Sequence, residues 1–143
     1  MMAAMIRPVR EWGPVKNRRF RSEAAILASE RRSREDEASR LSDEVPGLRT
    51  LSLVLDEYRG DSAVAGVRHT KHVVVAHAPA LFELPCLEER CVGGGHDLTY
   101  DIMKGLRAKL EQFEGEDACA GRVGHDACGR TLRYVARAIY QHD

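Results

Sequence analysis

The chain has 143 residues, 43% hydrophobic and 31% charged, which suffices for one domain with a modest core and hardly for two. Lys plus Arg number 22 and Asp plus Glu 22, so the net charge is zero. No run of about 18 apolar residues exists and the N-terminus is studded with charge, so neither a membrane span nor an apolar export signal is expected.

The charge is unevenly spread. Residues 1–21 carry Arg7, Arg10, Lys16, Arg18, Arg19 and Arg21 against Glu11 alone, which leaves the remainder acidic. Pro8, Gly13 and Pro14 break any helix there. Trp12 and Phe20 are interleaved with the cations. The pattern fits a flexible basic arm that meets phosphates with Lys and Arg and stacks its aromatics on bases, with RNA, the ribosome or DNA as partner. The competing expectation is a tail whose two aromatics dock on the body.

Residues 22–44 are rich in Ala, Glu, Arg and Leu without Gly or Pro, and predict a helix with Ser22 as N-cap. Its apolar stripe is thin, so it packs at its ends or awaits a protein partner, another copy of the chain included. Pro46-Gly47 makes a turn. Residues 49–58 alternate, with Leu51, Leu53 and Leu55 on one face, and predict a half-buried strand. A loop with Arg59-Gly60 follows, then a strand over 67–77 with Val73, Val74 and Val75 as core. His69 and His72 fall on opposite faces of that strand and cannot share one ion.

Residues 98–113 predict the clearest helix: Leu98, Ile102, Leu106, Leu110 and Phe113 form one stripe, Asp97 or Thr99 caps the start and Gly115 follows the end. Residues 131–141 fit both periods; Tyr134, Val135, Ile139 and Tyr140 favour a strand. The expected fold class is therefore α+β, a small antiparallel sheet of three or four strands packed on one or two helices. Residues 22–143 form the single domain, with a metal-binding part at 86–128.

That part holds all four cysteines, as Cys86-x4-Cys91 and Cys119-x8-Cys128. A chain without an export signal is expected in the reducing cytoplasm, where cysteines are metal ligands or plain thiols more often than disulfides. Two pairs on separate loops suit the tetrahedral four-ligand geometry of structural zinc. Gly121, Gly124 and Gly129 let the longer loop fold back, and Cys128-Gly129-Arg130 has the look of the second half of a zinc knuckle. In these sulfurs and glycines the segment resembles zinc-ribbon and treble-clef proteins, which implies a zinc-ribbon-like or treble-clef-like metal knot. His96 and His125 are possible substitute ligands. Gly93-Gly94-Gly95 serves either as a phosphate cradle or as a flexible return from the knuckle. Glu88-Glu89 and Glu116-Asp117 read as solvated loop surface.

Four thiolates leave a metal no open position, which favours a structural role over hydrolysis. No phosphate-binding Walker loop, G-x-S-x-G or H-E-x-x-H motif is present. The expected function is a non-catalytic zinc-stabilised binding module. The alternative is a protein-interaction or regulatory module acting through helix 22–44, with a thiol/zinc redox switch as one form of it.

Overall fold

A computed structural model describes residues 18–60 and 66–142. In chain order they form helices α1 (Arg18–Glu37) and α2 (Leu41–Glu44), strands β1 (Leu48–Arg59), β2 (Val67–Val73), β3 (Glu83–Leu84) and β4 (His96–Asp97), helix α3 (Thr99–Arg107), and strands β5 (Gln112–Ala118), β6 (Arg122–Val123), β7 (Asp126–Ala127) and β8 (Arg130–Tyr140). The fold is α+β. Its centre is a four-stranded antiparallel sheet in the order β2-β1-β8-β5, and β3-β4 and β6-β7 form two small ribbons beside it. No helix among the described residues is long and apolar enough to cross a membrane.

The sheet buries one face. Leu51, Leu53 and Leu55 of β1 stand opposite Ala138, Ala136 and Tyr134 of β8, and all six are buried. The same alternation carries Glu57 inward, opposite Leu132. Ile102, Met103 and Leu106 of α3, Leu41 of α2 and Val45 close the core over this face. The other face is polar and carries ion pairs such as Arg68–Asp56 and Arg133–Glu116.

Several boundaries differ from expectation, and α1 begins at Arg18, inside the segment expected as a flexible arm over 1–21. The helix expected over 22–44 is broken at Ala38–Arg40. Arg40 is extended (φ −75°, ψ 140°) and bridges Pro79, and the Leu41 N–H donates to the Ala78 carbonyl at 2.9 Å. The break lets Leu41 reach the core, where it is 0% exposed; tertiary burial overrides helical propensity here. The strand expected over 67–77 ends at Val73, so Val74 is exposed while Val75 turns back into the core.

The helix expected over 98–113 stops at Arg107. The Lys109 N–H donates to the Leu106 carbonyl and the Leu110 N–H to that of Gly105, with Lys109 at φ 58°, which is a Schellman ending. Leu110 is then 46% exposed, and Phe113 belongs to β5. Phe113 nevertheless packs on α3, so the apolar stripe survives across a change of element. Gly115, expected as the cap, lies in β5 against the Tyr134 ring. At the start of α3, Asp97 Oδ1 accepts the Thr99 N–H at 3.0 Å and Thr99 Oγ1 accepts the Phe82 N–H at 2.8 Å.

Gly105 sets the spacing between α3 and β5: a Cβ there would lie 2.5 Å from the Phe113 ring. That ring is held edge-on to Tyr134 at 6.3 Å. Gly to Ala within a helix normally gains about 1 kcal/mol. Here overpacking outweighs it, and Gly105→Ala is expected to cost about 1–3 kcal/mol in urea denaturation, with Phe113→Leu in the same chain recovering most of the loss.

Candidate metal centre

The two cysteine pairs sit on two turns at one end of the sheet. Cys86 follows β3, and the chain then turns: the Cys91 N–H donates to the Glu88 carbonyl at 3.0 Å. Cys119 and Cys128 flank the β6–β7 hairpin, which continues the β5–β8 pairing. The Cys119 N–H donates to the Arg130 carbonyl and the Cys128 N–H to the Gly121 carbonyl, both at 2.9 Å. Gly124, with φ 64°, opens the hairpin turn, where positive φ suits glycine. The long second spacing is therefore a two-stranded ribbon that returns Cys128 to Cys119. Val92 and Arg122 exchange backbone hydrogen bonds of 2.9 and 3.1 Å and join the two turns directly.

All four Sγ atoms lie within 4.8 Å of one another. Cys86 and Cys128 are 3.6 Å apart and Cys91 and Cys119 3.7 Å, far beyond a disulfide's about 2.0 Å. A tetrahedron with metal–sulfur bonds of about 2.3 Å has edges of about 3.8 Å, so the spacing fits a four-thiolate metal site.

The surrounding backbone fits as well. Gly121 and Gly95 donate N–H groups to Cys119 Sγ and Glu88 donates to Cys86 Sγ, each at 3.4 Å. A Cβ on Gly94 would stand 2.4 Å from the sulfurs of Cys91 and Cys119, and one on Gly121 would stand 2.4 Å from that of Cys91. Gly94 in the glycine run is thus a close-approach position against the sulfurs.

Burial pushes the Cys86 thiol far above its ordinary range, and nearby Cys119 and Cys91 add to this. Burial, with the contact to Cys119, raises Cys91 to about 12. Burial also opposes ionisation at Cys119, but the N–H groups of Gly121 and Gly95, together with the thiols of Cys91 and Cys86, outweigh it and hold that thiol below its usual value. Four thiolates at this spacing would be compatible only with a cation between them.

An ionic cluster ties the first turn to the sheet. Arg130 at the start of β8 donates to Glu57 Oε1 at 2.6 Å and to Glu88 Oε2 at 2.9 Å, and the Leu87 N–H donates to Glu57 Oε2 at 3.1 Å. Burial lowers the Arg130 pKa, but the bond to Glu88 and the charges of Glu57 and Glu88 outweigh it and hold the guanidinium above its usual range. Glu88 is lowered, first by Arg130. Glu88 and Asp117, expected as solvated surface, are site residues: Asp117 Oδ2 lies 2.9 Å from His96 Nδ1. Glu57 did not stand out in the sequence, and Arg130 did so only as the end of the Cys128-Gly129-Arg130 stretch. The available signal was a carboxylate at an inward position of an alternating strand.

Of the remaining expected positions, His96 is buried beside Cys86 and outside the four-sulfur group, whereas His125 is exposed at the β6–β7 turn. Arg7, Arg10, Trp12 and Lys16 lie outside the described residues, and Arg18, Arg19, Phe20 and Arg21 fall in the first turn of α1. Comparison with family models, curated proteins and solved structures returned no match.

Because Gly94 and Gly121 abut the sulfurs, Gly121→Ala is expected to weaken metal binding at least about tenfold, about 1.4 kcal/mol, in a competition titration against a chromophoric chelator, while Gly124→Ala at the hairpin turn leaves metal affinity within about twofold.

Proposed function

We propose that the chain is a non-catalytic binding module whose far end is fixed by one zinc ion on Cys86, Cys91, Cys119 and Cys128, in a zinc-ribbon-like arrangement in the cytoplasm. The observation that carries this is the cluster of four sulfurs within 4.8 Å of one another, walled by Gly94 and Gly121. Zinc suits it because borderline-soft, redox-inert Zn²⁺ takes four thiolates without a geometric preference of its own. Four protein ligands fill its coordination sphere, which supports a structural role. The ligand of the module is RNA, the ribosome or DNA, met by the basic N-terminal residues.

A second reading, a protein partner or second copy on α1, is favoured by one observation. Ile26 is 61% exposed and Leu27 38% exposed on that helix, beside Arg31 and Arg34.

Purified protein is expected to carry one zinc at the four cysteines, lost on replacing Cys86 or Cys119 by Ser, and chelation is expected to lower Tm. A metal-free preparation that melts at the same temperature would overturn the proposal. The raised thiols of Cys86 and Cys91 stay protonated at neutral pH, so zinc must displace at least two protons. Its apparent affinity is expected to fall at least about a hundredfold for each pH unit lost, with a matching proton release in a pH-stat.

The partner is decided by deletion. Removing residues 1–17 is expected to abolish salt-sensitive RNA or DNA binding in a filter assay while zinc content is unchanged. Loss of self-association or partner capture in Ile26→Ser/Leu27→Ser, without effect on nucleic acid, supports the second reading instead.

A further inference from the structure

Beside the four-sulfur group lies a second cluster: Glu57, Cys86 and His96 are all buried, and each presents a donor atom within 4.8 Å of the other two. His96 decides what it is. Its side chain is 1% exposed and its Nδ1 lies 2.9 Å from Asp117 Oδ2. A carboxylate only accepts, so when the ring is neutral its proton sits on Nδ1 and its lone pair on Nε2. Nε2 is buried and has no hydrogen-bond partner. Such an orphaned acceptor costs about 1–3 kcal/mol unless something takes it up. A carboxylate that fixes one ring nitrogen so that the other can ligate is the arrangement found at metal-bound histidines.

We propose that Glu57, Cys86 and His96 form a second divalent-cation site of zinc type, with Cys86 bridging to the first ion and Asp117 as the positioning residue for His96. It rests on the four-cysteine reading in so far as Cys86 is shared. Glu57 is held in place by Arg130 and the Leu87 N–H, one bond to each oxygen, and each oxygen keeps a further lone pair. The mixed nitrogen, oxygen and sulfur set suits Zn²⁺. A four-thiolate zinc centre would be dianionic, which favours another cation beside it, while Glu57 and Glu88 are offset by Arg130 and Arg90. A 250 Å³ cleft bordered by Cys86 and His96, and by Leu27, Arg31 and Arg34 of α1, gives the ion a way in.

The full chain, stripped of metal and reduced, would be titrated with Zn²⁺ against a chromophoric chelator and separately with Co²⁺ followed by its d–d absorption. Two equivalents are expected. The second should be lost in His96→Ala and bound about 10–100-fold more weakly in Asp117→Asn, and the first should persist in both. The Co²⁺ spectrum is expected to gain a distinct band at the second equivalent in the unaltered chain and not in His96→Ala. A single equivalent in the unaltered chain overturns the second site and leaves the four-cysteine centre standing. Two equivalents retained by a folded His96→Ala overturn it as well, by placing the ion elsewhere. No equivalent at all removes both proposals. The unaltered chain decides the stoichiometry even where a variant fails to fold.

Discussion

Four thiols packed within 4.8 Å, three of them buried, form an arrangement that is hard to keep charged and unrewarding to keep neutral. As thiols they are weak donors whose burial adds little beyond that of small apolar groups. As thiolates they repel one another in a poorly solvated corner. A cation at their centre would convert the repulsion into four bonds, and the N–H groups aimed at Cys119 and Cys86 are placed for sulfur that carries charge. The rest of this end of the molecule follows from that geometry: the turns must approach closely, so Gly94 and Gly121 carry no side chain, and Val92 and Arg122 can pair.

The sheet and the sulfur site form two apolar clusters and not one. The larger lies under β1, β8 and α3, and the smaller consists of Cys86, Cys91 and Cys119 with Val123 and Cys128 against them. Two of the links between them differ in kind. One is the continuous β5–β8 ladder running into the β6–β7 hairpin, and the other is Arg130 between Glu57 and Glu88. The second link is the more brittle: loss of the guanidinium would leave Glu57, 0% exposed, as an uncompensated buried charge, which typically costs about 3–5 kcal/mol. The first turn is thus referred to the sheet through a charge, the second through backbone.

The α+β class, the faces of β1 and the convergence of the cysteines were legible because each rests on a local period or on residue type. Leu51, Leu53 and Leu55 alternate, and the four cysteines fall as two pairs with glycines beside them. What was not legible depended on partners distant in sequence. Helix α3 stops at a left-handed lysine, Lys109, where glycine is the usual signal, and Phe113 prolongs the apolar stripe from a strand. Leu41 leaves the helical pattern because the core needs it. Glu88 and Asp117 sit among acidic neighbours that really are exposed, and only Arg130, 42 residues on in sequence, and His96, 21 back, distinguish them.

A structural four-thiolate site needs close-packed turns and N–H donors. It does not need a buried carboxylate, a buried guanidinium and a carboxylate-held histidine alongside. Replacing a buried ion pair by well-packed apolar residues is often neutral or stabilising, so Glu57 and Arg130 are not explained by stability alone. Nor is the orphaned Nε2 of His96, which apolar side chains in place of both His96 and Asp117 would remove at little cost. These groups gather on the Cys86 side of the sulfurs, the side bordered by the cleft under α1, whereas His125 on the far hairpin stays in solvent. That asymmetry is what a purely structural knot leaves unexplained, and a second bound cation supplies a physical reason for it.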